Sequence, residues 1–301
     1  MYLSKEGKKL YKYYRGYEEN FYLFLGKTIG GSNEEDIHGL RVTLKKLRGV
    51  IKLMSLLAED FSSKEHFAQL RTLFKPAGNL RECQVNLKRL KDFEGYDVFY
   101  SAYKKARKTC MKHHRQSFDL AITSLVPETL KQTSKAVKRQ CKNLSKEGVY
   151  IKSNDFIQNR IQKINKLHKK AGEDIENVHQ IRIKLKEIST VLGLLHTMRP
   201  KKIPLEKIAE LKKQEDIIGL WHDYAVLQES IDEFVTQNPK EVEHLMIDIK
   251  ELQKAISVRE AEFMITLDDF VEQTIAQIEE QLIPVSDTIE KHARISQPLA
   301  L

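Results

Sequence analysis

The sequence predicts an all-α protein built as two four-helix bundles related by an internal duplication. Three observations carry that prediction. Helix breakers are scarce across the 301 residues, with 13 glycines and 7 prolines, while Leu, Lys, Glu, Ile and Gln abound. Apolar residues recur at steps of three and four, and no segment alternates apolar and polar positions long enough to make a strand. Two separated segments repeat in one register.

The elements follow in order. Ser4 to Ile29 forms a first helix whose apolar face is Leu10, Tyr13, Tyr17, Phe21, Phe24 and Leu25; Gly30, Gly31 and Ser32 end it. Asn33 or Asp36 caps a second helix over 34–58. Ser62 or Ser63 opens a third, 63–92, which Pro76 and Gly78 kink. The segment FEGYD breaks the chain before a fourth helix over 96–121. Pro127 opens a fifth helical stretch, interrupted around Gly148 to Ser153. Further helices span 174–198, 204–236 and 240–283, punctuated by Pro200, Pro204, Pro239 and Pro284.

The repeat is explicit. GSNEEDIHGLRVTLKKLRGVIKLM from Gly31 matches GEDIENVHQIRIKLKEISTVLGLL from Gly172, placing His38 on His179, Arg41 on Arg182 and Lys45 on Lys186. Farther on, GNLRECQV from Gly78 meets GLWHDYAV from Gly219. The offset is 141 throughout (38 to 179, 41 to 182, 78 to 219). The chain therefore divides into a first repeat, 1–125, a second, 126–290, and a tail, 291–301. The helix from Pro127 connects the repeats and opens the second.

Hydrophobic residues at 41% and charged residues at 31% allow a buried core and exclude global disorder. The net charge of +9 favours a polyanionic partner. Its placement is more telling than its size. On a wheel of ~100° per residue, Arg41, Lys45, Arg48 and Lys52 fall with His38 within ~80°, and Ile37, Leu40, Leu44, Leu47, Ile51 and Met54 fill the adjoining ~100°. The cations thus border the core face, whereas solvated charge opposes it. His179, Arg182 and Lys186 repeat the arrangement beside Val178, Ile181, Leu185, Ile188, Leu192 and Leu195. Ser189 and Gly193 replace Arg48 and Lys52 there, so the first copy should hold anions more strongly.

Like charges at i,i+4 cost about 0.2–0.5 kcal/mol per pair, so an uninterrupted cationic row calls for an explanation. An idle, solvated lysine-rich face is the competing one. For each histidine three readings compete: contact with phosphate, a hydrogen-bonded core or interface residue, and a metal ligand. The cationic neighbours fit the first best, since they would repel a divalent ion. Further cations extend the candidate surface: Arg71, Lys75 and Arg81 on the third helix, Lys212 and His222 on its counterpart, and Lys104, Arg107 and Lys108 on the fourth.

Several classes are disfavoured. Cys83, Cys110 and Cys141 are far apart, with no CxxC pair, and predict neither a disulfide framework nor a cysteine metal site; HHR at His113–Arg115 is a weak metal signal. There is no P-loop, no strand-borne GxGxxG, no HExxH and no GxSxG, so no catalytic set and no cofactor is expected. No apolar run reaches about 18 residues and no leader-like apolar segment opens the chain, which suits a cytoplasmic location away from membranes.

The H-x-x-R-x-x-x-K stripe occurring twice, each followed by a G-x-[LW]-x-[DE]-x-x-V segment, resembles the CHAD family, the conserved histidine alpha-helical domain, over residues 4–285. The resemblance implies two four-helix bundles about a pseudo-twofold axis, a basic surface and pore at their junction, and non-catalytic binding of inorganic polyphosphate. It implies phosphate contacts for His38, Arg41, Lys45 and Arg48, and for His179, Arg182 and Lys186. It also implies the stand-alone form of the family, association with polyphosphate granules, and polyphosphate-metabolising enzymes as further partners. A nucleic-acid-binding helical protein and an accessory to a phosphate-processing enzyme are the alternatives.

Overall fold

A computed structural model of the chain describes residues 3–29, 33–125, 127–171 and 175–280. All regular structure among these residues is helical. Eleven α-helices follow one another: α1 Lys5–Thr28, α2 Glu34–Leu57, α3 Ser63–His66, α4 Ala68–Leu90, α5 Asp97–Thr123, α6 Pro127–Gln140, α7 Lys146–His168, α8 Ile175–Met198, α9 Leu205–Gln237, α10 Pro239–Val242 and α11 Met246–Glu279. A single 3₁₀ turn, Glu243–Leu245, joins the last two.

The boundaries follow capping chemistry. Ser4 caps α1 by accepting the Gly7 N–H at 3.0 Å, and Asn33 caps α2 by accepting the Asp36 N–H at 2.8 Å. Ser62 opens α3 through the Glu65 N–H. The predicted glycine terminator at Gly30, Gly31 and Ser32 lies outside the described residues. Two expectations are corrected. The break in the fifth helical stretch falls between Gln140 and Lys146, before the predicted Gly148–Ser153, because Ser145 caps α7 and takes the Gly148 N–H. That bond places Gly148 in the first turn, where poor helix propensity matters little. The expected single helix over 63–92 is split at Phe67, while Pro76 sits inside α4 without ending it.

Helix bounds keep the sequence register. α1 and α7 start at residues 5 and 146, and α2 and α8 run over 34–57 and 175–198, all offset by 141. Contacts repeat as well: α1 packs on α2, α2 on α4 and α4 on α5, as α7 packs on α8, α8 on α9 and α9 on α11. α6 is a separate connector lying against α1, α2 and α3.

All six predicted core residues of α2 and all six of α8 are buried. Each such side chain contributes about 1.5–3 kcal/mol when fully removed from water. One apolar cluster runs through both repeats, joining α1 and α2 to α7 and α8. A second, smaller cluster lies at the far ends of α4, α5, α9 and α11, around Phe99, Tyr103 and Phe234. On α4 the buried members of the first cluster stop at Leu80 and those of the second begin at Leu90; on α9 the same change falls between Trp221 and Leu227. The helix segments between the clusters carry charge.

Candidate polyanion-binding groove

Between the two apolar clusters, α4 presents Arg81 and Glu82 and α9 presents His222 and Asp223, while α2 and α8 bring their stripes. α2 packs directly on α8. At this seam residues one repeat apart meet each other. A methyl at Gly49 would stand 2.7 Å from Thr190 Cγ2, and 49 and 190 are one repeat apart. Lys45 and Lys186, also one repeat apart, repel each other. Arg182 adds to the field at Lys45, so the two cationic rows converge at this seam.

The arginines are seated by glycine. A Cβ at Gly78 would lie 2.6 Å from Arg41 Nη1, and one at Gly219 would lie 3.1 Å from Arg182 Nη2. The glycine of each G-x-[LW] motif therefore leaves room for the guanidinium of the preceding stripe. Phe74 underlies the first copy, its ring 5.7 Å from both the Arg41 and the Arg48 guanidinium carbons.

Burial and mutual repulsion work against protonation of several basic groups here. Lys45 is solvent-exposed, although protein atoms crowd its surroundings; desolvation, then Lys186, Arg41 and Arg182, push its ammonium down to about 7. Lys186 is pushed to about 8 by burial and Arg182, against the pull of Glu215, Asp216 and Asp223. His222 falls to about 4 through burial and the His179, Arg182, Lys186 and Lys45 charges. His38 and His179 are also lowered, chiefly by burial; Arg81 adds to the effect at His38. The His179 and His222 rings are 4.3 Å apart. Among the described residues, His179 Nδ1 and Arg182 Nε are buried without a hydrogen-bond partner. A desolvated Arg182 N–H lacking an acceptor is costly, and an anion would satisfy it.

The two copies differ in charge. Phe74 and Lys75 have Glu215 and Asp216 as counterparts, and Arg48 has Ser189, which donates a hydrogen bond to Glu215. An arginine over a ring is thus replaced by a serine on a carboxylate. Arg182 and Lys186 feel Glu215, Asp216 and Asp223, whereas among the described residues the opposing charge at Arg41 is Glu82.

Of the predicted residues, the fold brings together His38, Arg41, Lys45, Arg48, Arg81, His179, Arg182, Lys186 and His222. Arg71 and Lys75 are exposed on the side of α4 that carries Gly78, and Lys212 is exposed one turn before Asp216 on α9. Others are engaged elsewhere. Lys52 and Arg160 pair with Glu187. Arg107 donates to the Ser230 carbonyl at 2.8 Å and lies over Tyr103, tying α5 to α9. Lys104 lies over the Tyr100 ring, and Lys108 is exposed. The sequence reading missed Asp223, which pairs with Arg89 at 3.5 Å, and the supporting roles of Phe74, Glu215 and the two motif glycines. The only signal was the acidic position of the second motif, Glu82 matched to Asp223.

Geometry of this kind defines an all-helical module that brings two basic stripes near one another. The family model for the CHAD domain matches residues 26–232 and, again, 155–264. The chain belongs to the CHAD domain family. A solved structure described as the CHAD domain from the plant Ricinus communis superposes with a TM-score of 0.65, covering 92% of each chain at 16% identity, a likeness of fold. No curated protein matches.

Proposed function

We propose that this protein binds inorganic polyphosphate in the groove between α2, α4, α8 and α9, without catalysing its turnover. The observation that carries this reading is the convergence of Lys45 and Arg41 with Lys186 and Arg182, together with the buried Arg182 Nε that has no partner among the described residues. A polymer with one negative charge per phosphate offsets the repulsion among these groups, and arginine grips phosphate oxygens bidentately. Four such contacts, treated as for a single-stranded polyanion, would weaken binding about 50-fold between 50 and 200 mM salt.

Nucleic acid fits less well. Stacking needs free aromatic faces. Several first-helix aromatics are used internally: Phe21 is buried and Tyr13 packs edge-on against Tyr17 at 5.0 Å, leaving Tyr22 exposed. Phe74 is covered by two guanidinium groups. The groove carboxylates have arginine neighbours, Glu82 beside Arg107 and Arg41, Asp223 beside Arg89 and Arg182, an arrangement that suits holding phosphate more than processing it. A cytoplasmic site of action near polyphosphate stores, with polyphosphate enzymes as partners, follows from this reading. Competition is the test. Long-chain polyphosphate should displace single-stranded RNA at equal phosphate concentration, with no orthophosphate released in the presence of Mg²⁺. Displacement in the opposite sense, or phosphate release abolished by Arg41→Ala, would overturn it.

A further inference from the structure

We propose that Cys83, Cys110 and His114 form a binding site for a thiophilic divalent cation of the Zn²⁺ class, between α4 and α5 and separate from the basic groove. The two cysteines are remote in sequence, but the α4–α5 hairpin brings them together. Cys110 and His114 stand one turn apart on α5, the i,i+4 spacing that places two ligands on one face. Cys110 Sγ lies 3.2 Å from His114 Nε2, and one ligand atom from each of the three residues falls within 4.8 Å of the others. Zinc bonds of about 2.3 Å to sulfur and 2.0–2.1 Å to nitrogen set tetrahedral ligand–ligand separations of about 3.5–3.8 Å, within about an ångström of the spacing seen here. Two soft sulfurs and an imidazole select a d¹⁰ cation over Mg²⁺ or Ca²⁺.

The surroundings suit the chemistry. Arg107, one turn before Cys110, lies within electrostatic reach of both sulfurs and would offset the charge of two thiolates once a metal is bound. Burial lowers the proton affinity of His114, with His113 and Arg107 adding to it, so the imidazole is in its neutral, ligating form. Burial also pushes the Cys83 thiol up to about 12, so metal must displace its proton, and affinity rises with pH. Three protein ligands leave a fourth position for water. Cys83 directly follows Arg81 and Glu82, so a bound ion would pin α4 to α5 immediately behind the groove wall.

The test uses the full chain, reduced with a phosphine, stripped with chelator and titrated with Co²⁺ as a spectroscopic probe. Thiolate-to-cobalt charge-transfer absorption and intense tetrahedral d–d bands should saturate at a single equivalent and disappear on adding Zn²⁺. His114→Ala and Cys110→Ser, both at half-buried positions, should weaken Co²⁺ binding at least about tenfold with the helical signal unchanged. A fully reduced protein whose cobalt spectrum lacks the charge-transfer band, or is the same in His114→Ala, would overturn the assignment. Neither result bears on polyphosphate binding, which uses other residues.

Discussion

At Gly78 a methyl group would stand 2.6 Å from Arg41 Nη1, and at Gly219 one would stand 3.1 Å from Arg182 Nη2. Within a helix, glycine costs about 0.5–1 kcal/mol relative to alanine, so these positions trade stability for the seating of an arginine. Gly78→Ala should therefore leave thermal stability unchanged or raised, since the arginine tip can swing away, yet weaken polyphosphate binding severalfold. Gly219→Ala should do the same to a smaller extent. Parallel melting and binding measurements separate the two effects. Lys45 supplies a second test at this scale. Burial and neighbouring cations hold its pKa near 7, against an ordinary 10.5. The unfolded chain thus binds more protons than the native one between those values, and the free protein should gain stability as pH rises from about 7 toward 10.5. A polyanion reverses the balance by favouring the charged ammonium. Binding should take up protons near pH 8 and weaken as pH rises, as calorimetry in buffers of different ionisation enthalpy would show. Proton release on binding would contradict the role given to Lys45.

At the level of helices, the stripe of α2 faces Phe74 on α4, while the stripe of α8 faces Glu215 and Asp216 on α9. The second wall is the more acidic. Asp216 is exposed, so neutralising it changes the field with little change in packing. Asp216→Asn should strengthen polyphosphate binding about two- to fivefold, the scale of a partly screened surface charge. An unchanged or weaker affinity would show that Arg182 and Lys186 lie outside the binding surface. The stripes themselves were legible from helical spacing, because a repeated His, Arg and Lys at one offset needs no tertiary knowledge. Their apolar flanks were legible for the same reason, and all twelve predicted residues are buried. The pairing of Lys52 was hidden because its partner Glu187 comes from the other repeat. The anchoring of Arg107 was hidden because an amphipathic wheel does not reveal that Ser230 and Tyr103 receive it.

Across the whole molecule, the offset of 141 residues predicted paired helices, and α2 and α8 obey it at both ends. What periodicity could not convey is where the halves touch. One apolar cluster passes through both repeats, so the boundary near residue 125 marks a repeat in sequence and leaves the core undivided. The meeting of Cys83 with Cys110 and His114 was hidden for a related reason: ligand spacing rules read along the chain, and these residues approach across a helix hairpin. The same long-range contacts bring Lys45 onto Lys186 and make one groove of two stripes.

Salt dependence of polyphosphate affinity, measured for Arg41→Ala and Arg182→Ala beside the unsubstituted chain, tests whether that groove acts as a single seat. Each substitution should lower the slope of log K against log salt by about one, with the larger affinity loss at Arg41 and an unchanged helical signal in both. A slope for Arg182→Ala that matches the unsubstituted chain would mean that the second stripe takes no part and that the two halves do not share a ligand.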